Sequence, residues 1–465
     1  MFEENDYDAL NDVLSKLNFK LIVKLHTAQN TSGLKRKHYS NLDILTNDDF
    51  VSRGYEIYKL MPQVDAFIGD YSSASLQFLL VDKPNFFVVP DIEEYGKNRG
   101  FCFDNPEEYM AGPIIKTQEE LYKEFEKLKV GIDDYKDRLD LNENPGGLPR
   151  EFVESVLAEV TPQMVAQYPE TLHFTQVLAD YIGTDVANIC ITNGSAEAIR
   201  YVIQAFTAPN GRIVGVVPSY FMFQVYSEMY GRNFVKVPYN DDLSISVDNI
   251  ERELTDDTQM LILLNPNNPM GNVYSDEEFE RLFKICQEKE ITLLIDEAYH
   301  YFYPKTFIKY ALNNRRVLVT RTFSKLFSMA GCRLGYVVGN PEDIKYVQKF
   351  CTPHNTNAFA MLFAEKIITT PGMVDALIAK FNEGRNYLLS SLDANGYRHK
   401  GEAGNFLFIE PKTDAGHIVE RMKNEMRILI KEYPNVGEFG NCLRVSIGEK
   451  QYMERFMDSL LKVDR

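Results

Sequence analysis

The chain has 465 residues, 45% of them hydrophobic, with a formal net charge of −17. That length implies more than one domain, and the acidic balance argues against nucleic acid or an anionic membrane as a partner. No apolar run approaches a transmembrane length, residues 1–20 lack a signal-peptide core, the six cysteines form no CxxC pair and the seven histidines show no metal-ligand spacing. The expectation is a cytoplasmic protein with reduced thiols and no metal.

Residues 1–130 alternate helix and strand. A helix over about Asp8–Leu17 precedes a strand at Phe19–Leu25, and further strands are predicted at Ala66–Asp70 and Asn85–Val89, with a helix over about Ala74–Val81 between them. Such alternation predicts a parallel, Rossmann-like sheet. Asp70-Tyr71-Ser72-Ser73 places two hydroxyls and backbone N–H groups at a helix start. That is an anion site by geometry, although an ordinary serine N-cap looks the same. With Leu79-Leu80-Val81-Asp82-Lys83-Pro84, Asp91-Ile92-Glu93-Glu94-Tyr95, Arg99-Gly100-Phe101 and Gly112-Pro113, the segment resembles the C-terminal end of the CDP-glycerol glycerophosphotransferases, GT-B enzymes that polymerise teichoic-acid-like chains. The resemblance covers about residues 1–125 and departs at Lys24-Leu25-His26-Thr27, where the family shows Lys-Pro-His-Pro. It implies a GT-B half without its acceptor-side lobe, a remnant or the tail of a longer fusion, that binds a nucleotide at best. A helix over about Leu121–Leu128 ends the segment, and the short polar stretch 131–137 is the expected linker.

In the remainder, 138–465, strand Ile189–Thr192 runs into Asn193-Gly194-Ser195-Ala196-Glu197. Glycine allows the tight turn there, and the N–H groups of Ser195 and Ala196 can cradle a phosphate at a helix start. Strands Ile213–Val217 and Met260–Leu264 follow, the second leading into Asn265-Pro266-Asn267-Asn268-Pro269-Met270-Gly271; a further strand from Thr292 ends in Asp296, with Tyr299 three residues on. The apolar run Val317–Thr320 then leads into a loop carrying Thr322, Ser324, Lys325 and Arg333. In open α/β sheets, ligands bind in the crevice outside such strand ends. A partly buried lysine beside another cation serves as a Schiff-base anchor; Arg333 can fork onto a phosphate, with Thr322 adding a hydroxyl. A carboxylate at Asp296 can hold a pyridine nitrogen protonated, while Asn268 and Tyr299 can hydrogen-bond a phenolic ring oxygen. One cofactor satisfies the whole set, pyridoxal 5'-phosphate (PLP). Singly each piece has a blander reading, the Asp as a helix cap and Asn-Pro as a turn. Order and spacing carry the inference.

On these motifs, residues from about 138 to the C-terminus resemble the class I/II aminotransferases of PLP fold type I, in the histidinol-phosphate aminotransferase branch. The resemblance implies an α/β architecture: a large, mostly parallel-sheet domain over about 165–340 and a small α/β domain from about 138–164 plus 341–465. It also implies that Lys325 is the Schiff-base lysine, that Asp296 pairs with the ring nitrogen, that Asn268 and Tyr299 contact the ring oxygen, and that Thr322, Ser324 and Arg333 hold the phosphate. Tyr220, in Pro218-Ser219-Tyr220, would stack on the ring. Gln167-Tyr168-Pro169 resembles an element whose hydroxyl reaches the partner subunit's cofactor phosphate, which implies a homodimer with shared active sites. Leu141-Asn142-Glu143-Asn144-Pro145-Gly146-Gly147 resembles the segment bordering the substrate pocket, with Asn144 and Gly147 on its rim. A helical stretch over about Gly372–Ala394 and strands at Asn405–Ile409 and Leu443–Gly448 fit the small domain. Arg444 interrupts the last of these, needs an anionic partner if buried, and matches the family's substrate-anion arginine.

Two positions depart from the pattern. Met270 stands where the family has Thr, and Lys431 where the histidinol-phosphate branch presents Arg; a point charge does not replace a bidentate fork. The expected reaction moves an amino group from an amino acid donor, glutamate, to a small phosphorylated keto acceptor. Fusion to a glycerophosphate-handling segment suggests dihydroxyacetone phosphate, giving serinol phosphate for a surface polysaccharide. The alternatives are a histidinol-phosphate aminotransferase, a PLP-dependent decarboxylase of a phosphorylated amino acid, and a nucleotide-binding or glycerophosphate-transferring protein.

Overall fold

A computed structural model describes residues 7–25, 38–70, 83–90, 92, 110, 112–130, 137–401 and 403–465. The chain divides into two units, Met1–Tyr135 and Lys136–Arg465.

In the first unit, strands β1 (Leu21–Lys24) and β2 (Leu42–Leu45) pair in parallel, and β3 (Phe67–Gly69), β4 (Asn85–Val88) and β5 (Ile114–Ile115) form a second parallel sheet in that order. The helix Tyr7–Leu17 buries Leu10 and Leu14, one turn apart, in a cluster with Leu42, Phe86 and Ile115. Leu121 and Phe125 of helix Gln118–Val130 join the same cluster. The parallel pairing expected from the strand–helix alternation is present. Strand β2 and the short helix Asn47–Ser52 behind it are additions, the helix begun by a capping box between Thr46 and Asp49. The helix expected over 74–81, the residues Tyr71, Ser72 and Ser73, His26 and Arg99–Phe101 lie outside the described residues.

The second unit opens with a two-residue strand, β6 (Asp137–Arg138). Seven strands follow: β7 (Ile189–Thr192), β8 (Arg212–Val217), β9 (Asn233–Pro238), β10 (Thr258–Leu264), β11 (Thr292–Asp296), β12 (Val317–Thr322) and β13 (Gly335–Gly339). They form one sheet in the order β7-β13-β12-β11-β10-β8-β9, and every pairing is parallel except the two made by β13. The central strands β11, β12 and β13 are buried along their whole length and mostly apolar on both faces, as a sheet covered by helices on both sides requires.

Register decides where the chemistry gathers. Leu264 pairs with Asp296 and Asp296 with Thr320, so β10, β11 and β12 end together and release Asn265, Glu297 and the lysine loop along one edge. Strand β13 returns antiparallel, setting Gly335 opposite both Thr322 and Thr192. The start of helix Ser195–Phe206 is thereby carried to the same edge.

A smaller antiparallel sheet follows, built from β14 (His399–Lys400), β15 (Phe406–Ile409), β17 (Lys431–Tyr433) and β18 (Cys442–Ser446) in the order β14-β15-β18-β17. Between them β16 (Ile428–Leu429) pairs in parallel with β6. Helices Met373–Ala394 and Lys450–Val463 bury Leu388, Leu392, Met453, Phe456 and Leu460 in the core that backs this sheet. The first packs closely on the turn that enters the second because Gly384 has no side chain: a Cβ there would strike the carbonyl of Gly448.

Candidate active site

Lys325 sits in the loop after β12, half-buried, its Nζ 3.4 Å from the carbonyl oxygen of Leu141 and 5.9 Å from the centre of the Tyr299 ring. Burial lowers its pKa to about 8; Arg444 and Arg333 push the same way and Glu143 opposes them. A lysine so placed spends more of its time as the neutral amine that attacks a carbonyl.

Three of the expected phosphate-binding groups converge nearby. The Thr322 hydroxyl donates to Ser324 Oγ at 2.9 Å, Ser324 N donates back to Thr322 Oγ1 at 3.1 Å, and Arg333 Nη1 lies 3.4 Å from Ser324 Oγ. Two glycines let the helix start at Ser195 reach this group. A Cβ on Gly335 would stand 2.5 Å from Ser195 N, and one on Gly194, which has φ +82°, would stand 2.6 Å from Arg333 Nη2. The opening N–H groups of a helix have no intrahelical acceptor, and with Arg333 they make a cup of donors suited to an anion.

Asp296 is 2% exposed at the end of β11. Its Oδ1 accepts from the Thr320 hydroxyl and from Ala298 N, each at 3.1 Å, and among the described residues no cation lies within 4 Å of it. Burial raises its pKa to about 7, against the pull of those two hydrogen bonds. Behind it Glu297 is fixed by Arg321, Thr306 and the N–H of Phe307, which holds the strand end still. Tyr299 is buried, its phenol proton held well above the ordinary range by that burial, and its oxygen accepts a 3.1 Å bond from Asn142 Nδ2. Tyr220 is packed edge-on against Phe223 at 5.5 Å, and burial with the nearby Asp296 charge pushes its pKa up to about 12.

These residues fit PLP on a ground internal to the structure. A buried carboxylate that lacks a cation is costly, and the N–H of a protonated pyridine ring supplies one. The class I and II aminotransferase model matches residues 136–460. The chain belongs to the class I and II aminotransferases. Its cofactor is PLP, which when bound offers an electron sink for a carbanion at a substrate's α-carbon. A second model, CDP-Glycerol:Poly(glycerophosphate) glycerophosphotransferase, matches residues 2–144.

This aminotransferase is 28% identical over 344 residues to the histidinol-phosphate aminotransferase of Caldanaerobacter subterraneus subsp. tengcongensis, covering 73% of this chain and 97% of that one. Among solved structures it is similar to the histidinol-phosphate aminotransferase of Sinorhizobium meliloti in complex with pyridoxal-5'-phosphate, with a TM-score of 0.65 and 22% identity over 71% of this chain and 91% of that one. It is also similar to the L-threonine-O-3-phosphate decarboxylase of Porphyromonas gingivalis, with a TM-score of 0.58 and 21% identity over 70% and 98%. The fold therefore hosts both transamination and decarboxylation, and fold likeness does not choose between them.

Arg444 is 4% exposed in β18 and lies directly opposite Lys431 in β17. Its Nη1 donates to Asn268 Oδ1 at 3.3 Å and to the Tyr433 hydroxyl at 3.2 Å, its Nη2 to the carbonyl of Asp140, and its Nε has no partner among the described residues. Burial, then the Arg444 charge, lowers the pKa of Lys431. Asn144 ties the segment before the first helix of this unit to the lysine loop, donating to Ser328 Oγ at 2.7 Å, and Gly147 turns that segment at φ +61°. Tyr168 is 81% exposed and stacked on His354 at 4.5 Å.

Three groups that touch this site were not assigned from sequence. Thr320 reads there as a β-branched filler of its strand, and only the pairing of β11 with β12 sets it beside Asp296. Asn267, in the loop after β10, donates from Nδ2 to Ser219 Oγ at 3.2 Å, one residue before Tyr220. Asn142 lies within a motif already singled out, and its left-handed backbone (φ +57°), which Asn tolerates better than most residues, is the kind of feature that marks a special position.

Proposed function

We propose that this aminotransferase transfers nitrogen to a small phosphorylated ketone whose phosphate is gripped by Arg444 and Lys431. Arg444 carries the reading. A buried guanidinium whose described acceptors are all neutral, with one N–H unpartnered among the described residues, lacks the anion that would offset its desolvation. Two cations directly opposite across a strand pair repel each other unless an anion lies between them. A phosphate brings nearly two charges and three acceptor oxygens to that pair, more than a carboxylate does.

Within this reading Lys325 holds the cofactor covalently and, once released as a free amine, carries the proton from the substrate's α-carbon; its lowered pKa suits it to act as a base. Asp296 keeps the ring nitrogen protonated, Asn268 and Tyr299 bond the ring oxygen, and Tyr220 stacks on the ring. Ser195 and Ala196 N–H, Thr322, Ser324 and Arg333 bind the cofactor's phosphate, and Asn144 and Gly147 border the substrate. The exposed Tyr168, with exposed Val165 and Leu172 near it in sequence, supports a homodimer in which its hydroxyl serves the neighbouring subunit.

The N-terminal match to a glycerophosphate-handling family supports dihydroxyacetone phosphate as acceptor, glutamate as donor and serinol phosphate for a surface polysaccharide as product. The test is single-turnover kinetics of the amino-loaded enzyme with dihydroxyacetone phosphate, imidazoleacetol phosphate and simple 2-oxo acids. Dihydroxyacetone phosphate should react fastest. Preference for imidazoleacetol phosphate by orders of magnitude would make this a histidine-pathway enzyme, and release of carbon dioxide from a phosphorylated amino acid would make it a decarboxylase.

A further inference from the structure

The Tyr299 hydroxyl has an acceptor's role towards one neighbour, and that constrains what it does to the next. Asn142 Nδ2 approaches the phenol oxygen at 3.1 Å, and because an amide N–H can only donate, the Tyr299 oxygen accepts and its own proton points elsewhere. Asn142 is itself held on three sides. Its backbone N–H donates to Ser446 Oγ at 2.8 Å, its carbonyl accepts from Asn405 Nδ2 at 2.9 Å, and its side-chain oxygen lies 3.4 Å from Ser446 Oγ. That last contact, with the hydroxyl donating, fixes the amide so that its nitrogen faces Tyr299. Asn142, Asn405 and Ser446 are all buried, so the chain of bonds is shielded from competing water.

We propose that Asn142 is a positioning residue that makes Tyr299 a committed hydrogen-bond donor to the cofactor's ring oxygen. The inference rests on Tyr299 facing that oxygen. Accepting the Asn142 bond polarises the phenol and strengthens the bond it donates. A stronger donor at the ring oxygen withdraws electron density and lowers the proton affinity of the neighbouring Lys325 linkage. Ser446 lies in β18 and Asn405 just before β15, so the small sheet that carries Arg444 also sets this bond.

The experiment titrates the visible absorption band of the PLP-loaded enzyme with pH and reads its midpoint, which a purely structural defect does not move in a fixed direction. Tyr299→Phe should raise the midpoint by about one unit, a roughly tenfold gain in proton affinity. Asn142→Gly, which keeps the left-handed backbone, should raise it by about half a unit, and the double variant should match Tyr299→Phe alone because Asn142 acts through Tyr299. Should Asn142→Gly not load with PLP, Asn142→Asp serves instead: its carboxylate diverts the Tyr299 proton and should raise the midpoint at least as far. Additive shifts in the double variant, or an unmoved midpoint in the Asn142 variants with Tyr299→Phe shifted, overturn the inference and leave the Tyr299 reading standing. No shift in Tyr299→Phe overturns both.

Discussion

Lys325 and Asp296 are displaced towards each other in proton affinity by the same cause, burial: the amine falls to about 8 and the carboxyl rises to about 7. Lys325→Ala should abolish the visible band and turnover while leaving the fold intact, since among the described residues its side chain makes a single long hydrogen bond, to Leu141. A reducible Schiff base retained in that variant would move the anchor to another lysine. Asp296→Asn should keep PLP but lose on the order of a thousandfold or more in rate, several kcal/mol of carbanion stabilisation; near-normal turnover would remove the electron-sink role. The same substitution has a second consequence in the cofactor-free protein. Because the folded pKa lies above the ordinary 3.8, the native state binds the proton more tightly, so the stabilisation is full below about pH 4 and lost as pH rises through about 7. Thermal melts of cofactor-free protein should therefore decline across that window more than those of Asp296→Asn, by up to a few kcal/mol at ~1.4 per unit. Parallel declines would contradict the isolation of this carboxylate.

At the scale of elements, the cup of donors depends on how closely β13 approaches the start of helix Ser195–Phe206. Gly335 allows that approach, since a Cβ would meet backbone atoms of Ser195, Gly194 and Arg321 within 2.8 Å, and backbone cannot step aside as a side-chain tip does. Gly335→Ala should shift the helix start, cost about 1–3 kcal/mol of stability and weaken PLP binding about tenfold or more, measured by titrating cofactor-free protein. Unchanged affinity would mean that the phosphate is held without those N–H groups. The pairing Lys431–Arg444 belongs to this scale too, because neither residue announces the other until β17 and β18 are set in register.

For the whole molecule, the proposed dimer is the feature with most consequence. Among the described residues Tyr168 stacks on His354 and is 81% exposed, which leaves its hydroxyl open to a neighbouring subunit. Mixed dimers of Tyr168→Phe and Lys325→Ala subunits should retain one native composite site if Tyr168 acts across the interface, with activity near half that of normal dimers. Activity no higher than in the parent single variants would place Tyr168 in its own subunit's site.

Chemistry that depends on local order was legible in the amino-acid sequence. The strand-then-loop pattern ending in Asp296, the Asn-Pro turn with Asn268, the small-residue loop with Lys325 and Arg333, and the turn at Gly194 are each contiguous stretches, and periodicity marks the strands that launch them. The mostly parallel organisation of the large sheet came from the resemblance those stretches carry to the class I/II aminotransferases. What the tertiary structure alone decided is everything that depends on register between distant stretches. Thr320 meets Asp296 only because β11 and β12 pair in parallel, and Asn142 meets Tyr299, 157 residues away, where β18 places Ser446 and the start of β15 places Asn405. Hydrogen bonds and charges act over a few ångströms, and a linear sequence does not state which of its segments will lie that close.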